Sequence, residues 1–249
     1  MFSPAINTLI NPSGGLRYHL RALRNRNRAW QPYRAGLSEW LSTWKPGTRS
    51  LAIVGPSAGH CLPLAALGQF ERFVIFEIDP LARYILKRRL QAELPGRPVM
   101  WVTEDAWLRP VNEGAGIPEA QLSGCALLFS NIIGQLSYLL EPGQYTAFRK
   151  TWRASLFPFL ERTPWASFHD RVSGDVAPYA PLPTQDASLS DAEVSALYED
   201  DPEHDHIELN DHRSQELLPK GYSYRYLHWP LTRSSHHLIE CVLGGPRAD

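Results

Sequence analysis

Residues Ser50–Asp79 read SLAIVGPSAGHCLPLAALGQFERFVIFEID. Leu51–Val54 is a short apolar run with the length and composition of a buried strand. It breaks at Gly55-Pro56-Ser57-Ala58-Gly59, and Cys61–Leu67 then reads as the start of a helix. A second apolar strand, Phe73–Phe76, follows and ends on Glu77. Strand, glycine-containing turn, helix, strand and acid is the pattern of a nucleotide-binding βαβ unit. Glycine lets such a turn tighten and lets a ligand approach the backbone. The N-terminus of the helix would offer unpaired N–H groups and a partial positive charge. Glu77 stands 22 positions after Gly55, at the spacing where a carboxylate takes both ribose hydroxyls.

Downstream the alternation continues. Pro80 sits where it would open a helix, and Leu81–Leu90 spaces apolar residues helically with basic ones opposite. Pro98–Val102 reads as a third strand ending near Glu104-Asp105, and Cys125–Phe129 as a fourth ending at Ser130-Asn131. Helical patterning over Tyr138–Leu160 precedes a fifth strand, Trp165–Phe168, ending at His169-Asp170. In open α/β sheets ligands bind beyond the carboxyl ends of the strands. Glu77, Asp105, Asn131, His169 and Asp170 all fall at such ends. Residues 171–220 turn proline-rich, then acidic and histidine-rich, with Ser190 placed to cap a short helix at Asp191–Tyr198. Tyr222–Trp229 and His237–Leu243 are two strands joined by so short a turn that they must pair antiparallel.

Upstream, residues 1–48 form an N-terminal helical extension ahead of the α/β domain at 49–249, in which 171–220 is an insertion or lid. Arg17, Arg21, Arg24, Arg26 and Arg28 come before the first acid, Glu39. One reading makes them the solvated face of a helix whose Leu16, Leu20 and Leu23 pack on the main domain. The other makes Asn11-Pro12-Ser13-Gly14-Gly15 and the arginines an anion site. Leu37–Trp44 reads as a second amphipathic helix.

Composition narrows the classes. A formal net charge of −1 argues against a large nucleic-acid footprint. Cys61, Cys125 and Cys241 are far apart and set in apolar runs, as expected of reduced thiols in a cytoplasmic protein. The N-terminus has no signal-peptide apolar region, and no apolar stretch approaches the ~18 residues of a membrane span. Oligomeric state is not encoded in any pattern of this sequence.

A parallel β/α sheet closed by an antiparallel hairpin resembles the class I S-adenosylmethionine-dependent methyltransferases, over about residues 48–243. In that family strand 1 ends in acid-x-Gly-x-Gly-x-Gly. Here Ile53-Val54-Gly55-Pro56-Ser57-Ala58-Gly59 keeps the outer two glycines, puts Ile53 in place of the acid and Ser57 in place of the middle glycine. The resemblance implies an α/β fold with a doubly wound, mostly parallel seven-stranded sheet and a C-terminal antiparallel hairpin. It implies S-adenosylmethionine as cofactor, held by the Gly55–Gly59 loop, with Glu77 on the ribose and Asp79 beside it. It places Asp105 at the adenine, and Ser130 and Asn131 under the methionine part near the acceptor, a small molecule. The family's strand-1 acid helps hold the cofactor's amino group, a contact Ile53 cannot make.

Among candidate catalytic groups, His169 with Asp170 has the right chemistry to take a proton, since an imidazole titrates near neutrality. A satisfied histidine at a strand end is the alternative. Methyl transfer needs no strong base, because the sulfonium is already activated and alignment supplies much of the acceleration. His204, Asp205, His206, Glu208, Asp211 and His212 are metal-ligand types, but their spacing matches no known site and the stretch has the composition of an exposed loop, so no metal is assigned. His236 and His237 should point to opposite faces of their strand. Tyr222, Tyr224 and Tyr226 share a face, as in sheet packing. Three functions fit this pattern: methyl transfer to a small molecule, transfer of an aminopropyl or aminobutyrate arm, and a non-catalytic module acting through protein contacts. A nicotinamide-dependent dehydrogenase fits worse, because the turn is G-x-x-x-G and not G-x-G-x-x-G.

Overall fold

The structure is a computed structural model and describes residues 16–108, 113–140, 143–199 and 207–246. The 11–15 loop and His204, Asp205 and His206 lie outside the described residues.

Among the described residues nine strands form one sheet: β1 (Ser50–Val54), β2 (Arg72–Phe76), β3 (Val99–Val102), β4 (Ala126–Ser130), β5 (Trp165–Gly174), β6 (Thr184–Gln185), β7 (Asn210–Asp211), β8 (Tyr224–Thr232) and β9 (Ser235–Gly244). Their order is β3-β2-β1-β4-β5-β9-β8-β6, with the two-residue β7 pairing β5 off this path. The first five are parallel, while β9 is antiparallel to β5 and to β8. The expected seven long strands and their hairpin are therefore present, with two short strands added.

Alternation along the central strands feeds two cores. Ala52, Val54, Val74, Phe76, Leu127 and Phe129 face one layer, with Phe148, Trp152 and Leu156 of α4 (Tyr145–Leu160). Leu51, Ile53, Phe73, Ile75, Ala126 and Leu128 face the other, with Tyr33, Leu37 and Leu41 of α2 (Gln31–Thr43) and Leu86 and Leu90 of α3 (Pro80–Glu93). Strands buried on both faces read as continuous apolar runs for this reason. Ile53 is 1% exposed in the second layer, so a carboxylate there would be buried among apolar side chains.

Three expectations fail. No α-helix follows β1: the chain runs irregularly through Gly59–Pro63 into a four-residue 3-10 turn, Leu64–Leu67. Pro63 lacks the N–H a helix interior needs, and Gly68 follows directly. The Arg89 guanidinium donates to the carbonyls of Ala58 and Gly59, doing from a side chain what helix hydrogen bonds would have done. Secondly, β5 does not stop at Phe168. It continues to Gly174 because its second half pairs with β9 and β7. Thirdly, in α1 (Leu16–Asn25) the leucines do not pack: Leu16, Leu20 and Leu23 are half exposed, and Tyr18, His19 and Ala22 are the buried face.

The 171–220 segment is packed, not detached. A bulge between Asp170 and Val172 brings Arg171 to 1% exposure, where its guanidinium meets Asp211 at 2.8 Å and Asp191 at 2.5 Å. Asp191 opens α5 (Asp191–Ala196), which Ser190 and Glu193 cap reciprocally. Leu189, Val194, Leu197 and Tyr198 join the α4 core.

Candidate functional site

The parallel strands β1–β4 deliver their carboxyl ends to one edge of the sheet, and the candidate residues gather there. The β1 loop makes its turn with three left-handed residues: Gly55 (φ +65°), Ser57 (φ +51°) and Gly59 (φ +64°). Glu77, at the end of the neighbouring β2, is 8% exposed and reaches across to this loop. Its Oε2 accepts from the Ser57 N–H at 2.8 Å and its Oε1 from the Asp79 N–H at 2.9 Å. Burial pushes the Glu77 carboxyl above its ordinary pKa, and those two N–H groups oppose the shift. Ile78, next in sequence, is 62% exposed.

Asp79 is the N-cap of α3: its Oδ1 accepts from Leu81 at 2.8 Å and Ala82 at 3.3 Å. Asp105, after β3, uses Oδ1 in the same way, accepting from Trp107 at 3.1 Å and Leu108 at 2.8 Å. Glu77 and Asp105 thus stand at the ends of adjacent strands, on the same edge of the sheet. Two features oppose an open cradle at β1. The missing helix removes the N-terminal dipole expected there. The space beside Gly55 is also filled: a Cβ at Gly55 would lie 3.0 Å from the Ile132 Cβ and 3.2 Å from its Cγ1.

The β4 and β5 side carries a second constellation. Asn131 takes a left-handed turn (φ +57°), which asparagine tolerates better than most residues. From there its side chain straps β5: Oδ1 accepts from the Asp170 N–H at 3.0 Å, and Nδ2 donates to Asp170 Oδ2 at 3.2 Å. Gln135 donates to the same oxygen at 2.7 Å, and His237 Nδ1 donates to Asp170 Oδ1 at 2.8 Å. Asp170 is fully buried. Burial alone would raise its pKa, but His237, His212 and Asn131 outweigh it and hold the carboxyl at about 2. Ser130, the last residue of β4, is buried beneath.

His169 and Asp170 do not work as a pair. They are adjacent on β5 and so face opposite sides of the sheet. His169 lies against Ser167 (Oγ to Nδ1, 2.8 Å) and Glu240 (Oε1 to Nε2, 3.3 Å), at 0% exposure. Glu240 Oε2 takes the hydroxyls of Ser188 at 2.6 Å and Tyr226 at 2.7 Å. Burial pushes Glu240 up, yet His169, Ser188 and Tyr226 hold it below the usual carboxylate value. His169 belongs to a closed network under the sheet.

The imidazole that reaches Asp170 is His237, which alternation does separate from His236; the latter stacks on His228. His212 completes the group. Its Nδ1 donates to the Gly134 carbonyl at 2.8 Å, which leaves Nε2 to accept from Ser173 Oγ at 2.9 Å. Of the loop histidines and acids, His212 alone among the described residues enters this cluster; Asp211 pairs with Arg171. His237 was readable as a strand residue with one of two facings. The bulge in β5 and the fold of the 207–213 segment, which bring His212 to it, leave no local sequence signal.

Five parallel strands are followed in the sheet by a terminal antiparallel hairpin. The chain has a Rossmann-like fold. No protein-family model and no curated protein matches the sequence. Among solved structures it is similar to an O-methyltransferase family protein from Burkholderia thailandensis: 12% identity and TM-score 0.43, over 88% of this chain and 57% of that one. It is similar to the N-methyltransferase NodS from Bradyrhizobium japonicum in complex with S-adenosyl-L-homocysteine: 10% identity and TM-score 0.44, over 90% and 98% of the two chains. Cofactor-bound Rv0187 from MTB aligns at 13% identity and TM-score 0.41, over 98% and 95%. No helix of the described residues is long and apolar enough to cross a membrane.

Proposed function

We propose that the chain binds S-adenosylmethionine at the carboxyl ends of β1–β3 and transfers its methyl group to a small molecule. The observation that carries the reading is Glu77: a buried carboxylate tied to the Ser57 N–H, one strand away from Asp105, with exposed Ile78 beside it. Glu77 keeps unused lone pairs on both oxygens for ribose hydroxyls. Ile78 supplies an apolar face for a purine, and Asp105 a carboxylate for its amino group. Bound there, the cofactor supplies an activated methyl group; this chain's residues hold and orient it. The acceptor would lie on the β4–β5 side, against Asn131 and the Asp170–His237 pair, where His237 Nε2 is the group placed to take a proton.

Ile132 against Gly55, and Ile53 in place of an acid, favour a second reading in which the amino-acid end of the cofactor is held differently or not at all. That reading covers the aminopropyl or aminobutyrate transferase and the non-catalytic module. Calorimetry with S-adenosylmethionine, S-adenosylhomocysteine, methylthioadenosine and NAD separates them. Methyl transfer predicts that the first two bind more tightly than methylthioadenosine and that NAD does not bind. Methylthioadenosine binding as tightly as the others favours arm transfer. A folded protein that binds none of the four is the non-catalytic module.

A further inference from the structure

Asp170, His212 and His237 each offer a ligand atom, and these atoms all lie within 4.8 Å of one another. They come from three separate pieces of chain: β5, the segment after β7, and β9. We propose that this cluster is a binding site for a divalent transition-metal ion of the zinc class.

Two imidazoles and one carboxylate suit zinc and its neighbours, and suit magnesium or calcium poorly, since those want oxygen ligands throughout. The outer contacts of a metal site are already in place. His212 donates Nδ1–H to the Gly134 carbonyl, which fixes its tautomer with the Nε2 lone pair turned toward the cluster. Asp170 Oδ2 is held by the amides of Asn131 and Gln135, leaving Oδ1 as the donor atom. The turn at Gly134 packs so closely that a Cβ there would sit 2.6 Å from the Asp170 carbonyl, so this outer support has little room to shift.

Charge points the same way. Asp170 is completely buried, and its ion pair among the described residues is with a histidine, not with a lysine or arginine. A dipositive ion would give this anion a permanent counter-charge. On binding, the hydrogen that His237 Nδ1 shares with Asp170 moves to Nε2, which frees the Nδ1 lone pair for the ion and means that Nε2 does not serve as a base in the metal-bound form. The Ser173 hydroxyl, which donates to His212 Nε2, turns away. Three protein ligands leave a tetrahedral ion one position for water or a ligand. His237, the least buried of the three, is the access side.

The inference does not depend on the cofactor reading, and the test is run with no nucleoside present. Chelator-treated full-length protein is titrated with Co²⁺, Zn²⁺ and Mg²⁺ by calorimetry, and the Co²⁺ form is read by its visible absorption. The expected result is one Co²⁺ or Zn²⁺ per chain, with tetrahedral Co²⁺ bands and no Mg²⁺ binding. Asp170→Asn and His237→Ala should each weaken Zn²⁺ at least 100-fold, while His204→Gln/His206→Gln and His236→Ala leave it unchanged. Should the cluster variants fail to fold, imidazole ¹⁵N shifts of the unaltered protein decide: Zn²⁺ must move the nitrogens of His212 and His237 and leave His228 and His236 in place. Absence of binding, shifts confined to other histidines, or affinity that survives Asp170→Asn overturns the proposal.

Discussion

Substituting Gly55 with alanine tests how tightly the β1 loop is closed. The residue has φ +65°, a left-handed conformation that costs an L-residue about 1–2 kcal/mol. The added Cβ would also meet Ile132 at 3.0, 3.2 and 3.3 Å from its Cβ, Cγ1 and Cδ1. Ile132 cannot swing aside cheaply, since it is β-branched and follows Asn131, whose side chain is bound to Asp170 on both sides. Overpacking of this kind costs roughly 1–3 kcal/mol, so Gly55→Ala should lose about 2–5 kcal/mol in all. Ile132→Ala removes the Cγ1 and Cδ1 contacts and leaves the Cβ contact and the conformational part. The double variant should therefore be more stable than the sum of the two single losses predicts, by about 1–2 kcal/mol, the share of the overpacking that Cγ1 and Cδ1 carry. Urea unfolding followed by tryptophan fluorescence and circular dichroism gives the four stabilities, with an unchanged slope as the check on two-state behaviour. A Gly55→Ala loss below ~0.5 kcal/mol, or single losses additive within that margin, refutes the contact and the strain together.

Three further outcomes follow from other parts of the molecule. Glu77→Ala leaves the Ser57 and Asp79 N–H groups without their acceptor and should lower S-adenosylhomocysteine affinity by about 1.5–3 kcal/mol, roughly 10- to 150-fold, by calorimetry. Unchanged affinity removes Glu77 from the site. Glu240→Ala strands His169, Ser188 and Tyr226 and should cost ~3–5 kcal/mol of stability while leaving ligand affinity alone; a selective loss of binding would put His169 back into the chemistry. Acid should destabilise the fold early, because burial lowers His60 to about 3 and His212 below its ordinary value. The unfolded chain then takes up protons below pH ~6.5 that the folded chain refuses, so stability is complete above that pH and falls below it, by about 1.4 kcal/mol per pH unit for each such histidine. Denaturant midpoints that stay flat from pH 7 to pH 5 contradict this.

The sheet was legible because its signals are local. Leu51–Val54, Phe73–Phe76 and Cys125–Phe129 are apolar runs closed by turn residues, and each became a parallel strand within a residue or two. Tyr222–Trp229 and His237–Leu243 announced the hairpin by a connection too short for a crossover. The β1 helix misled because Cys61–Leu67 has helical composition, and Pro63 inside it outweighs that composition. In α1 the leucine spacing was helical, but the packed face was chosen by aromatic contacts. Tyr18 stacks near Trp30, and His19 near His60. The site divided along the same line. Glu77 and Asp105 were readable as strand-end acids, whereas the union of Asp170 with His212 and His237 is a product of long-range pairing.

The most direct measurement is a crystal structure of the chain grown with S-adenosylhomocysteine. The account predicts the ribose on Glu77, the purine against Ile78 and its amino group at Asp105. The ligand bound elsewhere, for instance in the arginine-lined groove formed by Arg21, Arg24, Arg28 and Arg233, would contradict it.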